Sequence, residues 1–235
     1  MLFEQIKDVN AADALRADET RGGLFAWGRP ALTASGRAVA WFECAFLFVA
    51  LPLLVIASGA ALFIPFAIST MLISSVALLS MTRNFHWGDL LPVDALSEWR
   101  LVAGMTVVFA SLAATASAVA GRPIDIPAAA PLAPMLIAFP LLTAAPMELV
   151  QRALFFRRFG HLFPSESVAL LFGAVANAAV YFMLTGTVAS LFFGAFIGVA
   201  LGWAYLRTGQ FAISVLLHWI AAICVFTIGP GLLLL

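Results

Sequence analysis

The chain has 235 residues, of which 63% are hydrophobic and only 10% are charged. Soluble domains are roughly 45–50% apolar and about 25% charged, so a soluble fold could not bury this much apolar surface. Basic and acidic residues balance to zero net charge, which gives no support for the basic patch that a nucleic-acid partner requires. Composition therefore predicts an integral membrane protein in contact with the lipid bilayer, without a nucleic-acid partner.

Residues 1–37 form the first of three predicted regions and mix acidic with basic side chains. Leu2, Ile6 and Val9 are apolar residues at helical spacing, which indicates either a short amphipathic helix on the cytoplasmic membrane surface or a partly ordered tail. The segment lacks the basic-then-apolar order of a cleavable signal peptide, so we expect the first membrane span to act as the insertion signal.

Residues 38–126 form the second region, which holds the N-terminal transmembrane helices. Residues 38–81 are apolar over about twice the ~20 residues that cross a bilayer, and Ser58-Gly59 lies near their midpoint. We therefore expect two spans joined by a tight turn. A polar connection follows, and Arg100 begins a third span that ends near Ala120.

Residues 127–235 form the third region. A short fourth span is expected over residues 131–145, and Pro146 suits the first turn of a new helix over residues 147–160. Three apolar spans follow, over about 167–185, 187–206 and 211–229. The predicted fold class is therefore all-α, a polytopic transmembrane bundle of seven to eight membrane helices.

Local signals describe how the last helices begin and pack. Ser165 or Ser167 can accept a hydrogen bond as the N-cap of the first of them. Gly194, Gly198 and Gly202 are spaced by four, which places them on one helix face and lets another backbone approach closely. This pattern predicts helix packing.

Positive charges indicate the orientation in the membrane. Five basic residues precede the first span, and Arg83 and Arg100 return to the same side after two crossings, whereas Arg122 lies opposite. We therefore expect a cytoplasmic N-terminus. Since no organelle signal is present, the bacterial inner (cytoplasmic) membrane is the expected location.

Four ionisable residues lie within or beside apolar segments. Glu148 and Arg152 are four apart and share a helix face, so they either form a structural salt bridge or face a cavity together. His218 lies about eight residues into the last span and is expected to face the bundle interior or a wet cavity. Glu43, near the start of the first span, is either structural or a second carboxylate of the cavity.

Other common kinds of site are not predicted. His86 and His161 have no second ligand at metal spacing, so we expect no metal site and no other cofactor. Cys44 and Cys224 lie in apolar runs and are interpreted as small hydrophobic residues. The chain has no Gly-x-Ser-x-Gly elbow, no phosphate-binding loop and no ladder of carboxylates as in proton-driven transporters.

Two stretches of the third region carry a recognisable order of residues. Residues 146–157 read Pro-Met-Glu-Leu-Val-Gln-Arg-Ala-Leu-Phe-Phe-Arg, and residues 198–209 read Gly-Val-Ala-Leu-Gly-Trp-Ala-Tyr-Leu-Arg-Thr-Gly before a span with His218. This order resembles the CAAX-prenyl-protease and bacteriocin-processing family over roughly residues 127–230. The resemblance implies an eight-helix intramembrane protease fold with the motifs Glu-Glu-x-x-x-Arg, Phe-x-x-x-His and His-x-x-x-Asn.

Some motif positions match the family. Glu148 matches the second glutamate of the first motif, and Arg152 matches its arginine. Phe182 matches the phenylalanine of the second motif, and His218 matches the histidine of the third. The resemblance therefore implies that Glu148 and His218 are the catalytic residues if the protein is active.

Three other positions depart from the family. Met147 stands at the first glutamate, Gly186 at the second-motif histidine and Ala222 at the third-motif asparagine. In the family the first two groups activate the attacking water and the asparagine helps to stabilise the oxyanion. General acid–base assistance is worth about 10²–10⁴ in rate and one oxyanion donor about 10²–10³, so little peptidase activity should remain.

The leading hypothesis is a catalytically degenerate protease homologue whose cavity binds a peptide, a lipid or a membrane-protein partner. The first alternative is an active intramembrane glutamic-type endopeptidase that cleaves a membrane-associated peptide or a prenylated tail, with Glu148 or Glu43 as base. The second alternative is an accessory subunit of a membrane complex, in which Gly194, Gly198 and Gly202 offer a contact surface.

Overall fold

The computed structural model describes residues 34–82, 85–90, 97–119 and 138–227. Within these ranges the chain is helical and contains no strand. The predicted surface helix or tail at the N-terminus lies outside the described residues except for its end, and so does the predicted beginning of the fourth span. The all-α fold class is confirmed.

The first two spans are joined by a tight turn, as predicted. Helix α1 consists of an α-helical stretch, a π-helical turn and a second α-helical stretch (Ala34–Ala45, Phe46–Ala50 and Leu51–Ser58), and helix α2 covers Phe63–Ser80. Gly59 ends α1 with a φ of 62°, a left-handed conformation that glycine adopts without steric cost. A 3₁₀ turn over Trp87–Leu90 and helix α3 over Trp99–Val119 follow.

Helix α4 passes through Pro146 without a break, so the prediction of a new helix at this proline is wrong. It consists of Pro140–Ala144, Ala145–Glu148 and Leu149–Phe159, of which the first and last are π-helical. A proline in an α-helix removes one hydrogen bond and crowds the carbonyl four residues back. Here the N–H of Ala145 bonds to the carbonyl of Pro140, five residues back, so the wider turn continues the helix next to Pro146.

Helix α4 lies at the centre of the bundle. Every residue from Val150 to Phe156 is buried, and such a helix must have neighbours on all faces. The aromatic ring of Phe155 packs edge-on against that of Phe48 in α1, with 5.2 Å between centroids. A second apolar cluster joins α3 to the last two helices through buried side chains such as Phe109, Leu201 and Leu217.

The last three helices are joined by connections of only two residues. Helix α5 covers Glu166–Thr185, α6 covers Val188–Thr208 and α7 covers Phe211–Thr227. The hydroxyl of Ser165 accepts a hydrogen bond from the Val168 N–H and caps α5. Gly186 and Gly209 end α5 and α6 with φ of 69° and 67°. The three predicted spans are confirmed.

The glycines of α6 pack against α5 of the same chain. A Cβ atom at Gly198 would lie 2.6 Å from the Cα of Ala174, and one at Gly194 would lie 2.8 Å from the Cβ of Tyr181. The amide of Asn177 also donates a 2.7 Å hydrogen bond to the carbonyl of Gly194. The packing prediction is confirmed, and these glycines do not offer a contact surface to another subunit.

The outer surface of the bundle is apolar. Within the described ranges five helices, namely α1, α2, α3, α5 and α6, are long and apolar enough to cross a membrane, and α7 includes a shorter apolar stretch, Phe211–Val225. Large apolar side chains such as Phe42, Leu62 and Phe192 point outward and are 69–83% exposed. This distribution suits a hydrocarbon solvent, and the protein is an integral membrane protein.

Candidate functional site

Three of the predicted site residues meet in the interior of the bundle. Glu148 and Arg152 project from α4, and His218 projects from α7. One carboxylate oxygen of Glu148, Oε1, lies 2.8 Å from Nδ1 of His218, and the other, Oε2, lies 3.4 Å from Nε of Arg152. All three side chains are at most 3% exposed. The histidine therefore contacts the carboxylate of the intramembrane ion pair through a hydrogen bond.

Tyr181 of α5 extends this cluster. Its hydroxyl lies 3.2 Å from Nε2 of His218. In the tautomer whose Nδ1 donates to the carboxylate, Nε2 can accept the hydrogen bond of the phenol. Carboxylate, imidazole and phenol thus form one hydrogen-bonded chain through Glu148, His218 and Tyr181.

Sequence reasoning missed Tyr181. A signal was available, because Asn177, Tyr181 and Thr185 are polar residues spaced by four in an otherwise apolar span. Such spacing places them on one face of a helix. Thr185 and Tyr181 both line the cavity described below. The amide of Asn177 instead donates a hydrogen bond to the carbonyl of Gly194 in α6.

Arg152 is buried with an incomplete set of hydrogen bonds. Its Nη1 donates to the backbone carbonyl of Gln151 at 3.1 Å. Among the described residues, neither its Nε nor its Nη2 has a hydrogen-bond partner, although the charge of Glu148 lies next to it. The main function of Arg152 in this arrangement is to compensate the charge of a carboxylate that is removed from water.

An apolar cavity of about 280 Å³ lies beside the imidazole. Its wall includes Met147, Tyr181, His218 and Ala222, together with apolar side chains such as Phe139 and Phe193. Glu148 is not part of this wall. Met147 and Ala222, which stand at polar positions of the family motifs, therefore present apolar side chains to this cavity.

The second motif is not completed by a histidine. Gly186 ends α5 in a left-handed conformation and does not line the cavity. The same spacing counted from Phe172 leads to Ala176, which is buried in an apolar cluster with Val150 and Ala153. Either alignment leaves Tyr181 as the residue of α5 that contacts His218.

Glu43 does not join Glu148 and His218. Its carboxylate accepts hydrogen bonds from Nε and Nη2 of Arg158 at 2.9 and 3.0 Å. Nη1 of Arg158 also donates to the carbonyl of Leu78 in α2 at 3.2 Å. Glu43 and Arg158 therefore connect α1, α2 and the end of α4, away from the cavity wall.

No metal centre is formed within the part of the chain that the structure describes. No group of three or more His, Cys, Asp or Glu side chains lies close enough there to hold an ion. His161, in the 3₁₀ turn Gly160–Leu162 after α4, lies near Arg37 and Arg158. Burial, followed by these two positive charges, lowers the pKa of its imidazole.

Comparison with known proteins gives one match. A family model described as Rce1-like, type II CAAX prenyl endopeptidase, matches residues 129–224, which include the described part of α4 and most of α7. No curated protein and no solved structure is similar to the chain. The match agrees with the resemblance noted from the motifs around Glu148 and His218. Residues 129–224 of this integral membrane protein are therefore similar to the Rce1-like CAAX endopeptidase family.

Proposed function

We propose that the protein binds the apolar part of a lipid or of a lipid-modified peptide in the cavity beside His218, and that it does not cleave peptide bonds. The observation that carries this proposal is the direct 2.8 Å contact between Glu148 and His218. A general base must lie within reach of a water molecule that faces the substrate. No water fits between these two atoms.

The surroundings of Glu148 support a structural role for its carboxylate. One oxygen contacts His218, and the other lies beside the guanidinium of Arg152. A carboxylate with both oxygens next to such partners is fixed in position and has no free side that faces a substrate. The carboxylate therefore orients the imidazole and does not activate water.

The cavity wall supports an apolar ligand. Apart from His218, Tyr181 and two threonines, the side chains that line it are apolar. Burial of each methylene group contributes about 0.8 kcal/mol, so an alkyl or isoprenoid chain gains affinity without any polar contact. The imidazole and the phenol can then distinguish ligands by the polar group that follows the chain.

A binding and cleavage experiment in lipid nanodiscs tests the proposal. We expect a photoreactive farnesylated peptide to label peptides from α4 and α7 while the peptide remains intact. Ala222→Trp, which fills the cavity, should reduce labelling about tenfold or more, because the apolar contacts are lost. Leu171→Trp on the exposed face of α5 is the matched control and should label normally. Cleavage that disappears in Glu148→Gln would overturn the proposal.

The hydrogen-bonded chain of Glu148, His218 and Tyr181 favours a second candidate, an active intramembrane endopeptidase. A carboxylate–imidazole pair is an arrangement that can move a proton. In this case the substrate would have to displace the Tyr181 hydroxyl from Nε2 of His218. Tyr181→Phe would then increase cleavage of the farnesylated peptide, whereas a binding protein would leave it intact in both forms.

A further inference from the structure

A second cavity lies on the other side of Met147. Its volume is about 210 Å³, and it is lined by side chains of α2, α4 and α5, among them Met71, Val150 and Val180. Thr143, Met147 and Leu184 line both cavities. Met147 therefore forms part of the partition between the second cavity and the cavity beside His218.

Gln151 lines the second cavity and has an unusual environment. Its side chain is 2% exposed, and neither Oε1 nor Nε2 has a hydrogen-bond partner among the described residues. An unpaired buried amide is unfavourable, and the great majority of such groups in proteins are paired. A group of this kind in the wall of a cavity points to a missing partner.

Water is a poor partner for Gln151 at this place. A buried water usually makes about three hydrogen bonds to polar groups. Within the described part of the chain, Thr143 is the other lining residue with a polar side chain, and the rest of the wall is apolar. The missing partner is therefore better supplied by a ligand whose remaining atoms are apolar.

The entrance of the second cavity restricts the ligand further. Ile68 and Leu142 line it and are 41% and 76% exposed on the surface that faces the bilayer. A ligand therefore arrives from the hydrocarbon phase. Among the described residues no charged side chain lines the cavity, and an uncompensated charge in such surroundings is costly, so the ligand is uncharged.

We propose that the second cavity binds the acyl chain of an uncharged lipid whose head group carries a hydrogen-bond donor and an acceptor together. A carboxamide or an undissociated carboxylic acid has this pair, and the amide of Gln151 is complementary to both. The inference deepens the proposed function and rests on it, since Thr143, Met147 and Leu184 border both cavities.

Photolabelling in nanodiscs with a diazirine analogue of oleamide tests this inference. We expect labelled peptides from α2 and from the part of α4 around Gln151. Unlabelled oleamide should compete roughly tenfold better than methyl oleate, which has the same chain and only an acceptor, because it makes one more hydrogen bond. Competition by oleic acid at acidic pH equal to that of oleamide would identify the acid as the natural source. Failure of oleic acid to compete would identify the amide as the natural source.

Gln151→Leu separates recognition from general stability. The variant should bind oleamide and methyl oleate equally, and its unfolding temperature without ligand should be unchanged or raised, because an unpaired buried amide is removed. Gln210→Leu in the α6–α7 turn is the control and should still bind oleamide more tightly than methyl oleate. Equal competition by oleamide and by methyl oleate in the unaltered protein overturns the inference. Labelling confined to α7 also overturns it and leaves the proposed function intact, whereas a lack of labelling at both cavities overturns both.

Discussion

A carboxylate and a guanidinium are buried together at the centre of the bundle. Removing one charge of such a pair leaves the other uncompensated in a medium of low dielectric constant, which costs about 3–5 kcal/mol. We expect Glu148→Gln to lower the free energy of unfolding by about this amount and to reduce abundance. Thermal unfolding in detergent, followed by tryptophan fluorescence, measures the change.

A second variant identifies the cause of that loss. Adding Arg152→Met to Glu148→Gln removes the unpaired cation, and it should restore most of the lost stability, because a buried ion pair is often replaceable by apolar residues. Asp89→Asn, which breaks the more exposed pair with Arg157, should change stability by no more than about 1 kcal/mol. A double variant less stable than Glu148→Gln would contradict the charge argument.

The environment of the His161 imidazole predicts that the stability of the protein depends on pH. Its pKa in the folded protein is below the ordinary value of 6.5, because burial and the charges of Arg37 and Arg158 disfavour the protonated form. The unfolded chain then binds the proton more readily. The contribution of His161 to stability is complete above the ordinary pKa and is lost as the pH falls towards the folded pKa.

This pH prediction is tested by unfolding the protein at pH 7.5 and at pH 5.5. His161→Gln should make the difference in unfolding temperature smaller, because the titrating group is gone. His86→Gln, in the segment before the Trp87–Leu90 turn, is the matched histidine control. If the unfolding temperature of His161→Gln falls between pH 7.5 and pH 5.5 as much as that of the unaltered protein, groups other than His161 cause the pH dependence.

At the scale of elements, the contact between α5 and α6 depends on the absence of a side chain at Gly198. A methyl group there would lie 2.6 Å from the Cα of Ala174, so the helices must separate. We expect Gly198→Ala to destabilise the protein by about 1–3 kcal/mol. Gly104→Ala in α3 has no atom within 4 Å of the new methyl group and should be neutral or slightly stabilising. The unfolding temperatures of the two variants, measured side by side, test this prediction.

The sequence predicts the elements better than it predicts the site. Hydropathy and the turn at Ser58-Gly59 are local signals, and α1, α2 and α3 begin and end close to the expected residues. Helix α4 differs because π-helical turns around Pro140 and after Glu148 let it continue past Pro146. Proline rules assume α-helical hydrogen bonds, so this continuity could not be predicted.

The site was predicted in part. Glu148, Arg152 and His218 are among the ionisable residues of apolar segments, and their cost in the membrane requires that they find partners. Glu43 satisfies the same rule with a different partner, Arg158, and only a tertiary structure can distinguish the two outcomes. Tyr181 was missed because a motif anchored on one phenylalanine does not fix which face of α5 meets α7.

At the scale of the whole molecule, the cytoplasmic location of the N-terminus stays a prediction. It is tested with single cysteines at position 10 or 128 in a background without Cys44 and Cys224. A maleimide that does not cross membranes should label Ala128→Cys in intact cells and Asn10→Cys only after permeabilisation, because three spans separate the two positions. The reverse labelling pattern would show that every helix has the opposite orientation in the membrane.

The two-residue connections of the last three helices have a consequence for biogenesis. Gly186-Thr187 and Gly209-Gln210 are each too short to let one of the flanking helices change its orientation by itself. Helices α5, α6 and α7 therefore enter the membrane as one unit with linked orientations. An insertion error in this region would carry His218 and its cavity to the opposite side together with α5, and it would not yield a molecule with a single misplaced span.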